Sequence, residues 1–191
     1  MKQKNSTLVK SMTDKIQESS ETDTKKSDSF SKLIIFHLDN EEFAIPIEDL
    51  KEIIRLTELT PLPNSPDYIM GILNLRGHIT VVIDLHKLLK TPKTSDSSFK
   101  HVLISEIENS SYGILVDQVS EILNVKSAKI KKSPELLSSK FKNQEIKGVL
   151  VLDNPKKKSD KQRLIIILNL PKILEIDELS SVNKNIKNKS K

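Results

Sequence analysis

The chain runs to 191 residues with a formal net charge of +5, 30% charged and 36% hydrophobic side chains, and no cysteine. That length can bury one large core or two small domains leaning on each other, and the second is favoured below; the missing cysteines exclude disulfides and thiolate metal sites and suit a reducing cytosol. No apolar run approaches the roughly 18 residues of a membrane-spanning helix, and Met1 to Lys10 lacks the apolar stretch of a secretion signal, so the expectation is a soluble cytoplasmic protein without direct membrane insertion.

Residues 1–31 are mostly Ser, Thr, Lys and Asp around scattered Leu8, Val9, Met12 and Ile16. Those apolar side chains are too few to offset the entropy of ordering the segment, which reads as a disordered leader. Strand signals follow quickly at Leu33 to Leu38, Phe43 to Ile47, Ile53 to Leu56, Met70 to Leu75 and Ile79 to Asp84, all rich in Ile, Val and aromatics. Their brevity and close spacing predict a small barrel. Between the third and fourth, Thr60-Pro61-Leu62-Pro63-Asn64-Ser65-Pro66 carries three prolines, which fix the backbone and remove ladder donors, so this stretch is a loop crossing the barrel. Leu75-Arg76-Gly77-His78 joins two strands, and a tight hairpin there needs a residue that tolerates positive φ; Gly77, with Asn74 before it, is the structural turn. Leu85 to Leu89 reads as a short helix lidding the barrel, stopped by Thr91-Pro92, and 93–98 joins the lobes.

The second lobe repeats the plan through His101 to Ile107, Tyr112 to Val116, Ile122 to Val125, Val149 to Leu152, Leu164 to Leu168 and a short helix from Pro171 to Leu174. The repetition extends to single positions. Phe43 to Leu56 and Tyr112 to Val125, 69 residues apart, share one template: aromatic, small, aliphatic, any, aliphatic, acid, any, aliphatic, any, Glu, Ile, aliphatic, any, aliphatic. Gly71 and Gly148 each open an apolar strand, and Val82 to Leu89 is echoed 85 residues later by Ile167 to Leu174. Two copies of one strand-rich unit predict a two-lobed protein whose function lies between the lobes. The domain plan is a leader over 1–31, a domain over 32–179 with lobe 1 at about 32–90 and lobe 2 at about 99–179, and a basic disordered tail over 180–191.

The location of the charge matters more than its sum. Residues 1–32 carry net +2, Lys156 to Arg163 net +4 and 180–191 net +4, which leaves the folded body at −5. The basicity therefore sits in tails and in the long turn at 153–161, which reads as projecting into solvent, and such segments are more often solvated than nucleic-acid sites. Five Phe, two Tyr and no Trp leave little for a base-stacking platform. The histidines His37, His78, His86 and His101 fit no metal pattern, and Asp84 with His86 reads as a solvated strand edge rather than an acid-base pair. No nucleophile elbow, phosphate loop or dinucleotide fingerprint is present. Neither an enzyme, nor a cofactor or metal, nor a nucleic-acid partner is expected.

Glu41-Glu42-Phe43-Ala44-Ile45-Pro46-Ile47, then Leu50-Lys51-Glu52-Ile53, the Pro-rich crossing, Gly71-Ile72-Leu73-Asn74-Leu75-Arg76-Gly77 and Asp84-Leu85 closely resemble the CheW family of bacterial chemotaxis coupling proteins. Asn-Leu-Arg-Gly after Gly-aliphatic-x is the family's most diagnostic string, Tyr112 to Asp117 and Leu164 to Leu174 agree, and the likeness spans about residues 30–179. It implies a mainly β fold of two intertwined SH3-like five-stranded barrels with an apolar seam. It also implies a non-enzymatic adaptor at membrane-associated arrays, bridging the cytoplasmic tips of chemoreceptors to the regulatory domain of the histidine kinase CheA. Carried over by position, Leu50, Glu52, Gly71, Arg76 and Val119 become receptor-binding candidates, with Glu52 and Arg76 as a charged pair at the groove wall, and Met70 joins them as a flexible side chain adjoining that patch. His101 and Val102 become kinase-binding candidates. The related CheV architecture adds a receiver domain, for which a chain ending at Lys191 leaves no room.

Overall fold

Short runs of Ile, Val, Leu and aromatics, punctuated by Gly, Asn, Asp and Pro, fold as strands because each run has a face to bury. The computed structural model describes residues 29–91, 101–107, 109–132, 141, 145–153, 162–175, 179 and 182. Leader residues 1–28, the joining segment 93–98, the turn at 154–161 and all of the tail except Val182 lie outside the described residues. The strands are β1 (Phe30–Leu38), β2 (Glu41–Pro46), β3 (Glu52–Arg55), β4 (Ile69–Leu75), β5 (His78–Asp84), β6 (His101–Ile107), β7 (Ser110–Val116), β8 (Gln118–Lys126), β9 (Ile146–Leu152) and β10 (Arg163–Leu168). Helix α1 (Leu85–Leu88) follows β5 and α2 (Leu170–Leu174) follows β10, while single 3-10 turns occupy Ile47–Asp49 and Ser127–Lys129.

The strands form two five-stranded sheets, ordered β8-β1-β2-β10-β9 and β3-β6-β7-β5-β4. Each sheet takes the first two strands of one repeat and the last three of the other. Sequence halves 32–90 and 99–179 are therefore the repeats, while each sheet draws on both. The exchange is made by antiparallel pairs of β1 with β8 and β3 with β6, and by parallel pairs of β2 with β10 and β5 with β7. β8 begins at Gln118 rather than at Ile122 as the sequence suggests, because the nine-residue β1 offers it a long ladder, with a bulge between Ile35 and Phe36.

Three apolar clusters result. Leu33, Ile35, Ala44, Val125, Leu150, Ile165 and Ile167 fill the first barrel, and Leu73, Val82, Val102, Ile104 and Leu115 fill the second. The largest cluster is the seam, where Phe36, Phe43 and Ile45 of one sheet meet Ile83, Leu103 and Ile114 of the other, together with Leu85 of α1 and Ile173 of α2. Alternation along each strand explains this: successive side chains point to opposite faces, so each strand serves one barrel and the seam by turns.

The Pro-rich crossing closes the second barrel. Thr60 exchanges backbone hydrogen bonds with Ile72 at 2.9 and 2.8 Å, and the oxygen of Thr60 lies 2.5 Å from where a Cβ on Gly71 would stand. In the other barrel Lys131 exchanges bonds with Val149, and its carbonyl oxygen lies 2.6 Å from a Cβ placed on Gly148. The two glycines that open equivalent strands thus admit equivalent crossing segments.

Candidate functional site

The Arg76-Gly77 loop has positive φ at both residues, 53° and 87°, the geometry of a two-residue hairpin whose twist matches its strands. Asn74 Oδ1 accepts the Gly77 N–H at 2.8 Å and holds the turn. Arg76 is thereby presented from a backbone conformation that L residues adopt at a cost. Its Nη2 donates to Glu52 Oε2 at 3.1 Å. Because β3 and β4 are opposite edges of one sheet, this pair spans the barrel's open side, above Ile54, Leu56, Met70 and Leu75 packed on the inner cluster. With the Arg76 side chain 78% exposed, the pair contributes little to stability, and its role is to fix a charged wall.

The other barrel carries a related charged bridge. Glu121, the repeat counterpart of Glu52, meets Arg163 at 2.8 Å, and Arg163 also donates to both oxygens of Glu42 at 2.9 and 2.7 Å. The hydrogen bond to Glu42 is the foremost cause holding the guanidinium pKa above its ordinary value; burial opposes it and Glu121 adds to it.

Leu50 and Val119, which occupy matching places in the two copies, are both half-buried against the seam cluster. Leu50 caps the 3-10 turn and lines a groove of about 130 Å3 with Glu48, Asp49, Lys51, Ile107 and Pro171. Val119 pairs with Phe36 across the β1 and β8 ladder. Met70 packs on the inner cluster of the second barrel rather than on the seam, since β4 alternates and a bulge at Ile69 to Gly71 shifts its register. Gly71 is buried under the crossing. His101 is partly exposed at the start of β6, whereas Val102 is fully buried between β3 and β7, so an outward-facing contact there would rest on His101.

Asp84 and His86, read from sequence as a solvated edge, are buried instead. Asp84 caps α1 by accepting the Lys87 N–H at 3.1 Å. His86 Nε2 lies 3.2 Å from Asp117 Oδ2, which also accepts the Asp39 N–H at 2.6 Å, and His86 Nδ1 lies 3.0 Å from the Thr91 hydroxyl. Side-chain exposures of 3% and 7% make this a desolvated clamp joining α1, the β1 to β2 turn and the entry to β8. Replacing Asp117 by alanine removes a buried acceptor from the imidazole and from the Asp39 N–H, and is expected to cost about 2 kcal/mol by urea denaturation, with Asp117→Asn recovering part of the loss. Neither the clamp nor the Leu50 groove is apparent from local sequence. The repeat alignment was the available signal, because it sets Glu48 against Asp117 and Pro171 against His86.

Among the described residues no helix is long and apolar enough to cross a membrane, and no three His, Cys, Asp or Glu side chains could hold a metal ion.

Comparison with known proteins bears on the family and the fold. Residues 32–178 match the model of the CheW-like domain. The chain is 37% identical over 123 residues to a probable chemotaxis protein CheW of Rhizobium etli, covering 64% of this chain and 78% of that one. Against the chemotaxis protein CheW of Rhizobium meliloti it is 30% identical over 148 residues, 77% of this chain and 89% of the other. The crystal structure of the scaffolding protein TtCheW from Thermoanaerobacter tengcongensis superposes with a TM-score of 0.65 at 27% identity, covering 83% of this chain and 96% of that one.

Proposed function

The chain belongs to the CheW family of chemotaxis scaffold and adaptor proteins, whose members are not enzymes, and from that we propose that it couples the cytoplasmic tips of chemoreceptors to the regulatory domain of the histidine kinase CheA. The observation that carries the reading is the joint position of Leu50 and the Glu52 to Arg76 pair. The turn that carries Leu50 runs straight into β3, so the groove, with Leu50, Ile107 and Pro171 as its apolar members, and the charged wall share one short segment. A helical tip presents apolar side chains at helical spacing with polar flanks, and such a segment suits it.

Leu50, Glu52 and Arg76 would touch the receptor directly, and Val119 would act from its place on the same seam cluster. Gly71 would act through the crossing it admits, and Met70 through the barrel core beneath. The kinase would use one end of the second sheet, with His101 at the start of β6. Since each strand packs one face into a barrel and the other into the seam, movement of a held tip would change the kinase contact as a rigid displacement, and the signal would be the difference in contact energy between the two states. The protein would accordingly sit in the cytoplasm against membrane-bound receptor arrays.

Co-sedimentation with receptor-bearing membranes tests this. Arg76→Glu sets two carboxylates against each other at the charged wall and should lower receptor recovery about tenfold. Because Arg76 is exposed, circular dichroism should remain that of wild type. Undiminished recovery would remove the charged wall from the proposal, and absence of both kinase and receptor from the sediment would remove the coupling role.

A further inference from the structure

Resting on the receptor-coupling reading, we propose that Asp117 is a positioning residue: it is the pivot between the two sheets, and with His86 it sets the angle at which they stand to one another and so present their surfaces to partners. The chain passes between the sheets at two places, from β2 to β3 and from β7 to β8. Residues 47–51 make the first passage, whereas Asp117 alone makes the second. A rotation of one sheet against the other must turn about the short passage, because a run of several residues absorbs a change of angle that a single one cannot.

Hydrogen bonds hold the short passage on both sides. The Asp117 N–H donates to the His37 carbonyl at 3.2 Å and its Oδ2 accepts the Asp39 N–H at 2.6 Å, which fastens it to the β1 to β2 hairpin of the first sheet. The same Oδ2 lies 3.2 Å from His86 Nε2 on α1, the helix that follows β5 of the second sheet, and Thr91 supports the ring from its other nitrogen at 3.0 Å. One carboxylate oxygen therefore ties a hairpin of one sheet to a helix of the other. At the long passage the repeat counterpart of Asp117 is Glu48, which is exposed, and the tie to the first sheet is the pair of Asp49 with Lys147 of β9, whose side chain is 36% exposed and open to screening.

The apolar seam holds the sheets together, but its attraction is non-directional. The clamp adds direction, since hydrogen bonds weaken steeply once misaligned. Asp117 Oδ1 is buried with no hydrogen-bond partner among the described residues, so one oxygen serves two donors while the other serves none. Such a carboxylate is poorly suited to adding stability, because its desolvation is only partly repaid, and well suited to fixing an orientation.

The chain has no cysteine, so two introduced thiols carry spin labels without interference. His78→Cys on β5 and Asn124→Cys on β8 are exposed and lie on different sheets, and pulsed electron paramagnetic resonance on the full chain reads the distance between them, with circular dichroism on each variant. In this background Asp117→Ala and His86→Leu should displace the mean distance by about 2 Å or more, or broaden its distribution about twofold. Asp117→Asn, whose amide oxygen still accepts, should stay close to the background. Ser105→Ala, which removes the bond of 2.8 Å to the Asp49 carbonyl at the long passage, is the control and should leave the distances unchanged. Thr91→Val removes only the hydroxyl behind the imidazole, and decides the question by a change in the same direction if Asp117→Ala unfolds. With receptor-bearing membranes and kinase, His86→Leu should keep receptor recovery within about threefold while kinase stimulation falls about tenfold, because the contact surfaces persist and only their relation changes. Unchanged distances in the clamp variants, or an equal change in Ser105→Ala, overturns the pivot and leaves the receptor reading intact. Receptor recovery that falls as far as kinase stimulation overturns the positioning role, since the clamp then only supports the fold. A wild type that sediments with neither partner overturns the receptor reading, whatever the distances show.

Discussion

Gly71→Ala is expected to destabilise the fold by about 3 kcal/mol or more, although only one methyl group is added. Gly71 sits at φ +141°, where L side chains are strained, and the new Cβ would lie 2.5 Å from the backbone oxygen of Thr60. That oxygen cannot retreat cheaply. It accepts the Ile72 N–H at 2.8 Å while the Thr60 N–H donates back to Ile72 at 2.9 Å, and Pro61 and Pro63 stiffen the chain that follows. Against a typical total stability of about 5–15 kcal/mol the loss is large, and urea denaturation followed by circular dichroism measures it. Gly77→Ala is the control. It also meets a positive φ, +87°, but a Cβ there has nothing within 4 Å, so about 1 kcal/mol is expected. Equal losses in the two variants would show that the crossing yields and that the barrel is not closed rigidly by Thr60. If Gly71→Ala loses receptor binding together with stability, the glycine serves the receptor surface through the crossing.

Phe43→Ala should be of similar size, about 3–5 kcal/mol, by thermal or urea unfolding. Its ring is fully buried in the middle of β2, stacked on Phe36 at 6.0 Å between centroids and edge-on to Phe141 at 6.3 Å. Truncation removes apolar area and also the two ring contacts, and the surrounding cluster draws on both sheets, so it cannot collapse without shearing the seam. Phe43→Leu fills most of the volume and should recover more than half of the loss. The outcome bears on mechanism as well as stability: Leu50 and Val119 lean on this same cluster. A loss below about 1.5 kcal/mol would mean a seam soft enough to repack, and a soft seam cannot carry displacement from one partner to another.

Local physics explains what the chain announces about itself. Period-two alternation in short Ile- and Val-rich runs places the strands, because a half-buried strand must alternate. Three prolines mark the crossing, since no ladder tolerates them. Gly77 marks a hairpin that requires positive φ, although the same requirement at Arg76 is invisible in its residue type. The four-residue β3 and the extended β8 show the limit of such reading: both are edge strands whose ends depend on the partner's length, and that partner lies in the other repeat. Asp84 and His86 show it more sharply. Polar residues at a strand end look solvated until a carboxylate from a strand entry 31 residues away is laid against the ring.

The amino-acid sequence by itself determined the strands, the duplication, the tight hairpin and, through its motifs, membership of an adaptor family, because each is written in side chains within a few positions of one another. Tertiary structure alone decided which strands the repeats exchange, that the Glu52 to Arg76 pair spans the two edges of one sheet, and that one of two matching junctions is clamped while the other stays open. Those outcomes depend on which distant surfaces meet in the seam, and burial there turns the same sequence position into a partnered charge in one copy and an exposed one in the other.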